Sequence, residues 1–77
     1  MNVSQLKAKL TELGVKDRTY SICDEIGDEQ YCLERSGIRW FCFYSERGQR
    51  TGEKVFGNEN DACVYFYTLL SNDPTVL

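Results

Sequence analysis

QYCLERSGIRWFCFY, residues Gln30–Tyr44, is the stretch whose reading decides the fold. Gln30–Arg35 alternates apolar and polar residues, the period of a half-buried strand. Ser36-Gly37 offers a tight turn, and Ile38–Tyr44 is apolar on both faces, as a central strand is. A two-residue loop at Ser36-Gly37 places Leu33 opposite Trp40, Tyr31 opposite Cys42 and Glu34 opposite Arg39. Working toward the N-terminus, Thr19–Asp24 alternates again and Gly27-Asp28 reads as a second primed turn. That turn places Ile22 opposite Leu33 and Cys23 opposite Cys32. Register fixes the faces, and the two turns agree. One face collects Tyr20, Ile22, Tyr31, Leu33, Ile38, Trp40, Cys42 and Tyr44. The other collects Cys23, Cys32, Glu34, Arg39, Phe41 and Phe43.

Two helices flank this meander. Val3, Leu6, Leu10 and Leu13 form one apolar stripe, with Asn2 or Ser4 to cap its start and Gly14 to stop it. Asn58 caps a second helix over about Glu59–Leu70, whose Ala62, Phe66 and Leu69 point one way. Ser45–Gly52 reads as a polar loop and Lys54–Phe56 as a short fourth strand, with order ending at Asp73-Pro74. The expected fold is therefore α+β in two layers: helix, three-stranded antiparallel meander, short fourth strand, helix, with both helices on one sheet face. It is a single domain over residues 1–77, ordered over about 2–72. Phe41 and Phe43 are left on a face with no element assigned to cover it.

The chain has 77 residues, 42% of them hydrophobic and 27% charged, too few for a dinucleotide fold or a barrel and too apolar for disorder. Its net charge is −3, but the sign is segregated. Between residues 21 and 34 stand Asp24, Glu25, Asp28, Glu29 and Glu34 with no base among them. A mildly acidic chain is poorly suited to neutralise phosphates, so direct nucleic-acid binding is not expected. The acidic segment favours a basic partner, with faster encounter as the physical gain. No apolar run approaches the ~20 residues of a membrane span, and the lysine-interrupted N-terminus is unlike a secretory signal. The expected location is cytoplasmic.

Catalytic equipment is sparse. The chain contains no histidine, which removes the commonest general base and metal ligand. No phosphate-loop or nucleophile-elbow pattern occurs. Cys23, Cys32, Cys42 and Cys63 include no C-x-x-C pair, so a zinc site is not signalled. Reduced, mostly buried thiols are expected instead. These readings predict a protein that is not an enzyme, with no catalytic residue, cofactor or metal.

The order Tyr20-Ser21-Ile22, Tyr31-Cys32-Leu33, Trp40 and Tyr44-Ser45-Glu46-Arg47-Gly48 is followed by Phe56-x-Asn58-Glu59-x-Asp61-Ala62-Cys63-x-Tyr65-Phe66. Across roughly residues 18–70 this resembles the small immunity proteins of bacterial polymorphic-toxin and contact-dependent growth inhibition systems. The resemblance implies a cytosolic protein that binds a cognate toxin C-terminal domain, a basic nuclease in many such pairs, and blocks its active site. On the physical reading, the interface residues would be Asp24, Glu25, Asp28 and Glu29 at an acidic hairpin tip, Phe41 and Phe43 as the apolar anchor, and Glu46 in the loop. A general cytosolic interaction or regulatory module is the second expectation. A thiol redox or metal-binding protein is the third.

Overall fold

A computed structural model describes residues 1–76. The order of elements is α1 (Val3–Leu13), a short 3-10 turn (Asp17–Thr19), β1 (Tyr20–Ile22), β2 (Gln30–Ser36), β3 (Arg39–Glu46), β4 (Gln49–Phe56) and α2 (Glu59–Ser71). The strands form one four-stranded sheet in the order β1-β2-β3-β4. The fold is α+β in two layers, with both helices on one face of the sheet.

Local chemistry sets the helix ends. Asn2 caps α1 in a reciprocal box: its side chain accepts from the Gln5 N–H at 2.8 Å, and the Gln5 side chain accepts from the Asn2 N–H at 2.9 Å. Gly14 closes the helix in the left-handed region at φ 93°. Asn58 caps α2 by accepting from the Asp61 N–H at 2.8 Å. The two helix starts are tied together where Val3 donates its N–H to the Glu59 carboxylate at 2.8 Å.

The core lies between the helices and the front of the sheet. Leu6 and Leu10 of α1 and Ala62, Cys63, Phe66 and Leu70 of α2 close over Ile22, Leu33, Trp40 and Cys42. Cys63 and Leu70 are fully buried and Leu69 only partly, so the apolar stripe of α2 is rotated slightly from Leu69 toward Leu70. Ile38, expected on the core face, is 84% exposed because it belongs to a turn.

That turn is displaced from its expected place. Gln30 pairs with Ser45, Leu33 with Cys42, Arg35 with Trp40 and Ser36 with Arg39, so the loop is Gly37-Ile38. Gly37 takes its first position at φ 63°, where a hairpin turn of the II′ kind needs glycine; a Ser36-Gly37 loop would have put serine there. Each strand residue consequently meets a partner two positions further along. A shift of two preserves the faces where a shift of one would have inverted them. Glu34 faces Phe41 instead of Arg39, and its carboxylate meets Arg50 of β4 at 3.1 Å.

The larger correction is β1. It runs parallel to β2, with Tyr20, Ser21 and Ile22 beside Tyr31, Cys32 and Leu33, so there is no hairpin at Gly27-Asp28. Neither residue of that dipeptide has a positive φ, which a primed turn requires at its first loop position. Gly27 is instead a site of close approach, since a Cβ there would lie 2.5 Å from Gln30 Oε1. The seven residues Cys23–Glu29 cross the back of the sheet. They can span roughly 23–25 Å, ample for a strand of about 10 Å. Ser21 and Ser45 hydroxyls, both on buried residues, hold the crossover by donating to the Glu25 and Gly27 carbonyls at 2.8 Å each. Cys23 is exposed and Cys32 buried, and they are not cross-strand neighbours.

The crossover also answers what covers the back face. Phe43 is 1% exposed, and the Arg50 guanidinium sits 4.2 Å from its ring centre. Arg50 is held between Glu34 and Glu53 at 3.1 Å each. Phe43 is therefore core rather than an uncovered anchor, and Phe41 is half-buried. The expected Ser45–Gly52 loop is likewise absent. Arg47 and Gly48, at φ 50° and 75°, make a two-residue turn with both loop residues positive, as type I′ demands. β4, eight residues long, then pairs with β3 at six positions. The ladder slips by one between Cys42 and Tyr44, where Gly52 at φ 64° makes a bulge. Seven of the eight β4 residues are exposed, and such an edge strand carries no alternating apolar pattern to read.

Phe43→Ala should cost about 3–5 kcal/mol, as other buried aromatics do, against a total of about 4–12 kcal/mol for this length. Urea denaturation of that variant should give a midpoint as low as that of Trp40→Ala. A Phe43→Ala protein as stable as the parent would mean that the crossover leaves the back face open.

Candidate partner-docking surface

Tyr31 is the second residue of β2 and Tyr44 lies near the end of β3, and the two are register partners. Their rings meet edge-on at 5.0 Å with a 67° interplanar angle, an arrangement aromatic pairs favour. They stand on the helix-facing side of the sheet but at its end, where α2 has already stopped at Ser71. The chain after α2 bends back there: the Tyr31 hydroxyl donates to the Asp73 carboxylate. Asp73 also accepts from the Thr75 N–H at 2.9 Å and the Thr75 hydroxyl at 2.7 Å. These bonds hold the Asp73 carboxyl below the ordinary carboxylate range. Val76 packs against the core.

The crossover delivers acids to the same place. Arg18 and Thr19 of the 3-10 turn, Asp28 and Glu29 of the crossover, Tyr31, Tyr44, Asp73 and Thr75 line a groove of about 450 Å³. Burial pushes the Tyr31 phenol up to about 12, and the bond to Asp73 adds to it. The Tyr44 phenol is raised by desolvation first, then by Glu29, Glu46, Asp28 and Asp73. Four carboxylates from three separate segments thus act on one phenol. The Glu29 and Glu46 side chains have no hydrogen bond or ion pair among the described residues. Asp28 does: it accepts from the Arg47 N–H at 2.6 Å, tying the crossover to the β3–β4 turn.

The expected site residues divide accordingly. Asp28, Glu29 and Glu46 converge on Tyr44. Asp24 and Glu25 line a different groove, of about 430 Å³, with Lys7, Asp17 and Tyr20. Phe41 and Phe43 lie on the opposite side of the sheet. Tyr31, Tyr44 and Asp73 complete the surface, and no sequence pattern marks them as part of it. The tyrosines follow the pattern of the core strands, and Asp73 beside Pro74 looks like a helix stop. Their meeting is a long-range contact without a local signal.

The thiols show no sign of activation. Burial pushes Cys42 up to about 12 and Cys63 up to about 11; Cys23 and Cys32 are also raised, mainly by burial. Thiolate chemistry needs the opposite shift. Among the described residues no three histidine, cysteine or acidic side chains gather as metal ligands, and no helix is long and apolar enough to cross a membrane. No protein-family model matches the chain, and neither a curated protein nor a solved structure is detectably similar to it.

Tyr31 supplies a direct check of this geometry. A phenol raised from 10.0 to about 12 supports the fold fully below pH 10. That support is lost as the pH climbs from about 10 to about 12, because the unfolded chain ionises first. In a tyrosinate absorbance titration, Tyr31→Phe should remove the last step, and Asp73→Asn should move that step to lower pH. A last step that survives in Tyr31→Phe would mean that the phenol is free of the tail.

Proposed function

We propose that this protein is an immunity-type inhibitor: it binds a basic toxin domain, of the nuclease kind, and occludes its substrate cleft without catalysing a reaction itself. The observation that carries the reading is that Asp28, Glu29 and Asp73 line one groove with the Tyr31–Tyr44 pair, and that Glu46 stands two residues from Tyr44 on the same strand and adds to the rise of its phenol. A cleft that binds phosphate presents lysines and arginines, and a carboxylate surface is its electrostatic complement. Tyrosine suits the anchor position, because it adds contact area at small conformational cost and is enriched among residues that dominate interface energy. The contact pole differs from the one expected on sequence. It lies at the end of the sheet that carries the Arg47-Gly48 turn, with Asp24 and Glu25 to one side of it and Phe43 inside the core. The resemblance to immunity proteins noted above supports the same reading.

In cells poisoned by a candidate toxin domain taken from a neighbouring gene, expression of this chain should restore growth. Glu29→Ser with Glu46→Ser should slow association at about 50 mM salt and flatten its salt dependence up to about 300 mM, leaving dissociation nearly unchanged. Tyr44→Ala should act chiefly on dissociation, by about 2 kcal/mol if it is a dominant contact. If the double variant associates as fast as the parent at low salt, the acidic surface does not meet the toxin. If the parent chain fails to rescue growth, the reading as an immunity protein is overturned.

A further inference from the structure

A second groove adjoins the acidic one. It has a volume of about 430 Å³ and lies between α2 and the chain that follows it, lined by Tyr65, Thr68, Leu69 and Pro74 together with Tyr31 and Asp73. Tyr31 and Asp73 line both grooves and so form the wall between an apolar trough and an acidic one. Elsewhere on the molecule aromatic rings have cations of their own: Arg50 lies 4.2 Å from Phe43, Lys9 5.7 Å from Tyr67 and Arg35 5.7 Å from Trp40. The Tyr31–Tyr44 pair, which shares its groove with Asp28, Glu29 and Asp73, has no cation over it among the described residues. Arg18 is the one base lining that groove.

We infer that the two troughs form one docking surface for an amphipathic basic segment of a protein partner. An apolar side chain of that segment enters the Tyr65–Leu69–Pro74 trough, and a neighbouring lysine or arginine lies against Tyr44 among Glu29, Asp28 and Asp73. The occupant follows from the two chemistries and their shared wall. A purely apolar segment would leave the carboxylates unpaired, and a purely cationic one would leave Leu69 and Tyr65 wet. A cation drawn over a tyrosine face gains from the ring quadrupole as well as from the acids, and an amphipathic helix laid in a groove is a recurrent mode of peptide recognition. This inference rests on the proposed function for the basic character of the partner and adds the apolar half.

The test uses the full chain and two synthetic peptides, one amphipathic and made of leucine and lysine, the other with every leucine replaced by serine. Amide NMR of the protein titrated with the amphipathic peptide should show shifts at Tyr31, Tyr44, Tyr65 and Leu69. The serine peptide should bind at least about tenfold more weakly. Thr68→Arg, at an exposed position in the trough, should weaken the amphipathic peptide by a similar factor without lowering the melting temperature. Equal binding of the two peptides, no binding, or shifts confined to another face would overturn the inference. So would self-association of the protein alone through this surface, which would make a second copy the occupant. Growth rescue separates this inference from the proposed function. If the parent and Thr68→Arg protect equally well, the immunity reading stands and the apolar trough is not used. If the amphipathic peptide binds as described while the parent gives no protection, the docking surface stands and the immunity reading falls.

Discussion

The central strand of this sheet is apolar on both faces, and the rest of the structure depends on covering both. Trp40 and Cys42 point to one side of β3, and Phe41 and Phe43 to the other. A chain of this length has two helices to spend, and both pack on the first side. The second side is closed by irregular backbone, the Cys23–Glu29 crossover, with the Arg50 guanidinium laid against Phe43. A β1–β2 hairpin would have satisfied local pairing equally well but left Phe43 and Cys32 in water. Burying a large apolar side chain is worth about 1.5–3 kcal/mol, and that decides between the two arrangements.

Irregular backbone over an apolar face needs its polar groups satisfied, and the hydroxyls of Ser21 and Ser45 do this from below. Among the described residues, the three non-glycine residues with positive φ are Cys23, Glu29 and Arg47. Two of them bracket the crossover, and the third is held by Asp28 through its N–H. Such conformations cost of order 1–2 kcal/mol each; at Cys23 the backbone N–H donates to the Leu33 carbonyl at 2.8 Å, and at Arg47 to the Asp28 carboxylate. Asp28 therefore has a structural part as well as a place in the acidic groove. Glu29 and Glu46 are free of that double duty, which makes them the cleaner probes of surface charge.

Closing the back face with the crossover also decides where charge accumulates. Its last residues end beside Tyr44, and the backbone after α2 brings Asp73 to the same spot. Like charges placed together oppose folding slightly and favour encounter with a basic partner. The ionic network among the described residues, Glu34–Arg50–Glu53, lies on the other face and serves packing. The acidic pole is thus left uncompensated by the protein's own bases, apart from Arg18.

The sequence by itself determined the α+β class, the Gly14 stop of α1, the Asn58 cap and approximate extent of α2, and the sorting of β2 and β3 residues between two faces. Each of these is written in periods of two or near 3.6 residues and in local capping chemistry, and the faces survived a misplaced turn because its displacement was two residues. Three of the seven expected site residues, Asp28, Glu29 and Glu46, do meet on one surface. Tertiary structure alone decided the direction of β1, the burial of Phe43, the length of β4 and the meeting of Tyr31, Tyr44 and Asp73. A three-residue strand pairs equally well in either direction, and an exposed edge strand leaves no apolar alternation to read. The choice between hairpin and crossover depends on what lies uncovered on the far side of the sheet, a quantity no local stretch of residues encodes.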